Sequence, residues 1–315
     1  MSAATAAIVR PPALSSPFGL ADDAAYPAWR ARKLADRPRS VDALSVELRD
    51  PFDLSGAECA ALLDRCARFN MAVYRSAADP ADPALPRRLG QALGLRRLDA
   101  NALADEDGIS RIAVAAHGDA PAKGEFIPYT PRAIGWHTDG YYHPAERRIR
   151  GMLLHCVRSA VQGGENRLLD PELAYIALRD QNPDWIRALM APDAMIIPAR
   201  EDDDGVVRAA QGGPVFSVDP QDGHLHLRYT ARTRSIVWKD DAVTRDAAEA
   251  LTLVLAGAEV LHLRLEPGMG IVANNVLHDR SAFVDHAAAP RLLYRARYLD
   301  RVSDPPSRRP AWRTG

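Results

Sequence analysis

Hydrophobic positions along this chain follow two spacings, and the change falls near residue 109. Before it, apolar residues recur at helical intervals. Residues 26–36 (YPAWRARKLAD) are expected to form a short helix. Ser55 with Glu58 three residues later is a capping-box signature, and Ala61, Leu62, Cys66 and Phe69 follow on one face. A strand is expected at 71–74 and a further helix at 85–95. After residue 109, short β-prone runs at 109–114, 151–157, 215–218, 225–229, 260–265, 271–272 and 292–299 alternate with Gly, Pro, Asn and Asp. Many short strands between turn residues indicate a sandwich or barrel. Helices at 171–179 and 240–255 interrupt them. The expected class is α+β, mostly β, with flanking helices.

The same pattern sets the domain reading. Residues 1–20, rich in Ala, Ser and Pro, and residues 303–315, rich in Pro and Arg, are expected to be loose tails. Residues 21–302 are expected to be one domain, with a helical N-terminal part at 21–108 and a β-rich body at 109–302. The acidic run Glu201-Asp202-Asp203-Asp204-Gly205 reads as a solvated loop.

Composition narrows the function classes. With 40 basic and 41 acidic residues the formal net charge is -1, which argues against a general nucleic-acid binder. The three cysteines, Cys59, Cys66 and Cys156, are too few and too irregular for a disulfide framework and read as buried thiols of a reducing compartment. No run reaches the roughly 18 apolar residues of a membrane span. The opening MSAATAAIVRPP lacks a basic leader and stops at Arg10 and two prolines, so no secretory signal is expected and the location is read as cytoplasmic.

One short segment carries chemistry. In Gly135-Trp136-His137-Thr138-Asp139-Gly140, His137 and Asp139 are two apart, and on an extended chain such residues point to one side. An imidazole and a carboxylate so placed are adjacent metal ligands. Two His and one carboxylate on one face, with the other face open, suit a non-haem iron(II) site. The second His is sought near the C-terminus, in Asn274-Asn275-Val276-Leu277-His278-Asp279-Arg280-Ser281-Ala282-Phe283. After Pro290 comes a strand in which Arg291, Leu293, Arg295 and Arg297 share a face. Inward arginines need anionic partners, and a guanidinium grips a carboxylate with two parallel hydrogen bonds.

HTD at 137–139, His278, and Arg291 thirteen residues beyond that histidine resemble the taurine dioxygenase and 2,4-dichlorophenoxyacetate dioxygenase (TauD/TfdA) family. The turn Gly163-Gly164-Glu165-Asn166 resembles the family's Gly-Gly-x-Thr. The segments 277–283 and 227–230 look closer to its γ-butyrobetaine hydroxylase branch. The resemblance spans 130–298. It implies a double-stranded β-helix (jelly-roll) core, Fe(II), 2-oxoglutarate and O2. It also implies hydroxylation of an unactivated C–H bond of a small molecule, with release of succinate and CO2. By position, His137, Asp139 and His278 would hold iron. Arg291 would pair with the far carboxylate of 2-oxoglutarate, and Asn166 stands where the family's assisting Thr would be. Arg295 would face substrate.

Other readings of the same residues stay open. His143 makes a second triad with His137 and Asp139 conceivable. His155 reads as a satisfied core histidine, and His224 and His226 as structural or solvated. Tyr141, Tyr142, Tyr229 and Arg280 are candidate pocket residues, and Arg232 and Arg234 alternate on one face. The arginines favour an anionic substrate. The tyrosine pair favours an ammonium group. A small carboxylate-bearing metabolite such as an amino acid or betaine satisfies both. Rival functions are a non-catalytic 2-oxoglutarate sensor and a cupin-like metal-dependent hydrolase or isomerase. A homo-oligomer is compatible with all of them.

Overall fold

The computed structural model describes residues 16–20, 23–99, 107–114, 126–202, 205–220, 222–232, 236–257, 259–286 and 288–304. Ten strands build two main sheets: β1 (Ser45–Leu48), β2 (Met71–Ser76), β3 (Ser110–Ile112), β4 (Ile134–His137), β5 (Gly151–Arg158), β6 (Asn166–Leu169), β7 (Leu261–Leu263), β8 (Met269–Ala273), β9 (Leu277–Arg280) and β10 (Leu292–Tyr298). The larger sheet has the order β1-β2-β8-β5-β10-β3 and the smaller β7-β6-β9-β4. Every pairing is antiparallel except β1 with β2. The helices are α1 (Tyr26–Asp36), α2 (Gly56–Phe69), α3 (Leu85–Ala92), α4 (Pro171–Gln181), α5 (Pro183–Leu189) and α6 (Ala242–Leu255).

Alternation along the strands sorts the core into layers. On β2, Ala72 and Tyr74 pack with Leu62, Cys66 and Leu89 of α2 and α3, while Met71 and Val73 join Leu168, Leu261 and Leu263 of the smaller sheet. β10 obeys the same rule. Tyr294, Ala296 and Tyr298 face α3, and Leu293 faces the smaller sheet. Arg295 and Arg297 therefore point into the space between the sheets. The outer face of the smaller sheet, with Trp136, Leu169 and Leu277, packs on α4, α5 and α6. β8 (MGIVA) is covered on both faces and is apolar throughout, as a central strand must be.

The helix expectations hold closely. Ser55 accepts from the Glu58 backbone N–H, and the Glu58 carboxylate accepts from Ser55 N–H, closing the capping box. Three expectations are corrected. The N-terminal part is not only helical, because β1 and β2 lie inside it and complete the larger sheet. The acidic run does not form a plain loop: Arg200–Asp202 pairs with Gly205–Arg208 as an antiparallel hairpin, and 203–204 lie outside the described residues. The expected N-terminal tail reaches the core before its end. Phe18 is buried, edge-on to Trp29 at 5.0 Å and Tyr175 at 5.5 Å. Tyr175 hydroxyl and Arg179 donate to the carbonyls of Phe18 and Pro17. Residues 1–15 and 305–315 lie outside the described residues.

The three cysteines are buried and free. No helix among the described residues is long and apolar enough to cross a membrane. Because Phe18 fills core space, Phe18→Ala is expected to lower the unfolding free energy by about 3 kcal/mol in urea titration. An unchanged midpoint would place this segment outside the core.

Candidate metal centre

The centre is a consequence of strand register. β4 and β9 pair antiparallel with His137 directly opposite His278, so both side chains leave the same face, toward the space between the sheets. The ring centroids are 4.2 Å apart. Each Nδ1 lies on a carbonyl two residues back, His137 on Gly135 at 3.0 Å and His278 on Val276 at 2.9 Å. A carbonyl can only accept, so both Nδ1 atoms carry the proton and both Nε2 atoms keep a free lone pair. Asp139 follows β4 in a tight turn. Gly140 has φ +67°, and a Cβ there would lie 2.4 Å from Ile149, so the turn requires glycine. Asn275, itself at φ +52°, clamps the turn. Its Oδ1 accepts from Asp139 N–H at 2.8 Å, and its Nδ2 donates to the carbonyls of Asp139 and Ile149. The three side chains offer ligand atoms all within 4.8 Å of one another.

Charge completes the arrangement. Asp139 Oδ1 accepts from Arg295 Nη1 at 3.2 Å, whereas Oδ2 is buried with no partner. A bare buried carboxylate oxygen beside two imidazole lone pairs is what a divalent cation would satisfy. Burial alone would raise the Asp139 pKa, but Arg295 and Arg297 outweigh it and hold the carboxyl below its ordinary range. Burial, with His278 alongside, lowers the His137 pKa to about 3, so the ring stays neutral. Arg297 is fixed from behind, with Nη2 on Asp99 at 2.7 Å and Nη1 on the Tyr142 hydroxyl at 3.0 Å. Asp99 also takes Arg147 at 2.9 Å and faces His143 at 3.5 Å. The triad with His143 therefore does not form, and the His137, Asp139 and His278 group stands alone of its kind among the described residues.

Arg291 is an unpaired arginine of the β10 face. It is buried, its guanidinium stacks over Phe283 at 5.1 Å, and no carboxylate lies within ion-pair distance among the described residues. Burial lowers its pKa. The Gly-Gly turn makes the room: Gly164, at φ +72°, would place a Cβ 3.4 Å from Arg291 Nε. Asn166 donates through Nδ2 to the Asp279 carbonyl at 2.8 Å, and its Oδ1 is buried without a partner.

The profile described as "Taurine catabolism dioxygenase TauD, TfdA family" matches residues 31–297, most of the chain. The chain belongs to the TauD/TfdA family. Two similar proteins are named uridine-5'-phosphate dioxygenase. One, from Amycolatopsis sp, is 33% identical over 172 residues, 52% of this chain and 60% of that protein. The other, from Streptomyces sp, is 31% identical over 184 residues, 56% of this chain and 65% of that protein. The chain thus spans less than two thirds of either relative. Among solved structures, asparagine oxygenase with Fe(II), 3-hydroxyasparagine and succinate has a TM-score of 0.54 at 17% identity, covering 77% of this chain and 78% of that one. The non-haem iron oxygenase OrfP with Fe and alpha-ketoglutaric acid has a TM-score of 0.55 at 18% identity, covering 78% and 80%. These likenesses establish a shared fold. The donor set fits the family's iron, and Arg291 fits its dicarboxylate cosubstrate.

Other expected residues of this TauD/TfdA member are placed differently. Arg295 is paired with Asp139 at 3.2 Å. Arg280 is buried and donates to the carbonyls of Pro128, Thr130 and Arg132, so it ties down the loop before β4. Tyr229 packs in the apolar core with its hydroxyl on Thr252, which removes it from the pocket. Tyr141 meets Tyr142 edge-on at 5.2 Å. His155 is a satisfied core histidine between Tyr74 hydroxyl and the Pro80 carbonyl. His224 is exposed and His226 half-buried, and neither belongs to a metal-ligand cluster among the described residues. Arg232 is exposed, and Arg234 lies outside the described residues. Two contributors were not anticipated. Asn275 stands in the Asn-Asn pair beside His278, and Asn at a left-handed position was its available signal. Asp99 had none.

Arg295→Gln should weaken Fe(II) or Co(II) binding by roughly tenfold to a hundredfold, because the partner that orients Asp139 is lost. Anaerobic titration followed by metal absorption reads this directly. Unchanged affinity would show that the ion pair does not orient the ligand.

Proposed function

We propose that this chain is an iron(II)- and 2-oxoglutarate-dependent dioxygenase that hydroxylates a small phosphate-bearing metabolite of the nucleotide class. The observation that carries the oxygenase reading is the bare, buried Oδ2 of Asp139 beside the two imidazoles, within a donor set no wider than 4.8 Å. In this reading the two main sheets are the halves of a double-stranded β-helix, with the centre between them.

His137 and His278 would bind iron through Nε2 and Asp139 through Oδ2, leaving one face of the metal open. Bound there, iron(II) and 2-oxoglutarate supply the oxidising power of dioxygen, with succinate and CO2 released. The chain's own residues orient and protect. Arg291 would grip the far carboxylate of 2-oxoglutarate, and the remaining Asn166 N–H would assist it. Arg295 and Arg297 keep Asp139 ionised. Clamped by Asn275, the HxD turn holds its geometry before any ligand arrives.

The names of the two relatives support a nucleoside phosphate over the amino acid or betaine expected from the sequence. A second observation speaks against a betaine. The face of Tyr142 already carries the protein's own cation, Arg208, at 5.8 Å, and the ring stacks on His143 at 4.8 Å. That occupies the Tyr142 half of the expected aromatic clamp for an ammonium group.

Incubation with Fe(II), ascorbate and 2-oxoglutarate should yield succinate, and His137→Ala or His278→Ala should abolish it. Arg291→Ala should raise the 2-oxoglutarate KM at least about tenfold, since a charge-assisted bond contributes roughly 1.5–3 kcal/mol. Persistent intact 2-oxoglutarate with every candidate would favour a sensor. Activity with zinc or manganese and indifference to N-oxalylglycine would favour a hydrolase or isomerase.

A further inference from the structure

The hairpin Arg200–Asp202/Gly205–Arg208 places two arginines face to face. Arg208 and Arg200 are direct cross-strand partners. Like charges in that position repel, so the ladder alone does not account for the pair. Each instead rests on a ring from a segment that flanks β4: Arg200 over Phe126 at 4.8 Å and Arg208 over Tyr142 at 5.8 Å.

Arg208 is the more telling of the two. One terminal nitrogen donates to the Pro198 carbonyl at 2.8 Å. The other, Nη1, is buried and has no partner. No carboxylate lies within ion-pair distance of it among the described residues. Asp202, opposite Gly205, is on the far rung of the ladder from Arg208. A half-buried guanidinium with one buried donor left over, and no carboxylate on it among the described residues, is suited to receive an anion.

Its position ties this receptor to the metal centre. Tyr142 is three residues past Asp139, and its hydroxyl accepts from Arg297 Nη1 at 3.0 Å. Arg297 in turn helps hold the Asp139 carboxyl ionised. Contacts thus run from Arg208 through Tyr142 to Arg297, whose charge acts on Asp139 without touching it. Arg291 at the other receptor belongs to 2-oxoglutarate, so a separate anion site on this side would belong to substrate.

We infer that Arg208 anchors the phosphate of the substrate. This rests on the dioxygenase reading above and adds to it the residue that selects the substrate's charged end. The free Nη1 of Arg208 can donate to a phosphate oxygen, and the Pro198 carbonyl and the Tyr142 face hold the guanidinium in place.

The test uses anaerobic protein loaded with Fe(II) and 2-oxoglutarate, titrated calorimetrically with uridine-5'-phosphate, uridine and inorganic phosphate. The wild type should bind uridine-5'-phosphate at least tenfold more tightly than uridine, with inorganic phosphate competing. Arg208→Gln should weaken uridine-5'-phosphate binding at least tenfold and leave uridine unaffected. Arg208→Lys, which keeps the charge and loses the fork, should fall between. The Fe(II)–2-oxoglutarate absorption band should be the same in all three proteins, and phosphate should raise the melting temperature of the wild type only. Equal binding of uridine and uridine-5'-phosphate by the wild type, or an undiminished phosphate preference in Arg208→Gln, overturns the assignment. Absence of the absorption band in the wild type would instead overturn the dioxygenase reading.

Discussion

The pairing of β4 with β9 is the constraint on which the rest depends. His137 and His278 are 141 positions apart in the chain, yet one rung of an antiparallel ladder sets them opposite each other. A slip of one residue would turn His278 to the outer face and Leu277, now packed on α4 and α6, toward the metal. The apolar face of the smaller sheet therefore enforces the register that the metal centre needs. Burial of Trp136, Leu169 and Leu277 and convergence of the two imidazoles are one structural fact seen from two sides of a sheet.

The larger sheet supplies the charges. Its strand β10 alternates aromatic and small residues toward the helices with Leu293, Arg295 and Arg297 toward the metal side. Two arginines in a closed interior are costly unless paired. Here Arg295 has Asp139, and Arg297 has Asp99 and the Tyr142 hydroxyl. Buried Arg291 and half-buried Arg208 have no carboxylate partner among the described residues, and neither does buried Arg280, which rests on three carbonyls instead. In the proposed reading, Arg291 takes a dicarboxylate and Arg208 a substrate anion.

What could be read beforehand follows from which signals are local. The capping box at Ser55 and Glu58, the buried run of β8 and the HxD segment are all short-range patterns, and all are where they were expected. The joining of β1 and β2 to the larger sheet was not visible, because a parallel pairing separated by a helix leaves no local trace. The same holds for Asp99, whose importance lies in partners 48 and 198 residues away. Tyr229 and Arg280 show the limit of reading residues beside a motif. Period-two alternation puts Tyr229 on the core side while Thr230, paired with His137, takes the metal side. Arg280, the second residue after His278, looks inward by the same rule, yet its guanidinium is occupied by three carbonyls. Sequence pattern assigns a face; it does not reveal what is already waiting there.

The central claim is that one cation is held jointly by His137, Asp139 and His278. Diffraction from crystals grown anaerobically with Fe(II) and 2-oxoglutarate, measured on both sides of the iron absorption edge, tests it most directly. The account predicts a single anomalous peak bonded to both Nε2 atoms and to Asp139 Oδ2. A peak elsewhere, or one lacking the His278 ligand, would contradict it.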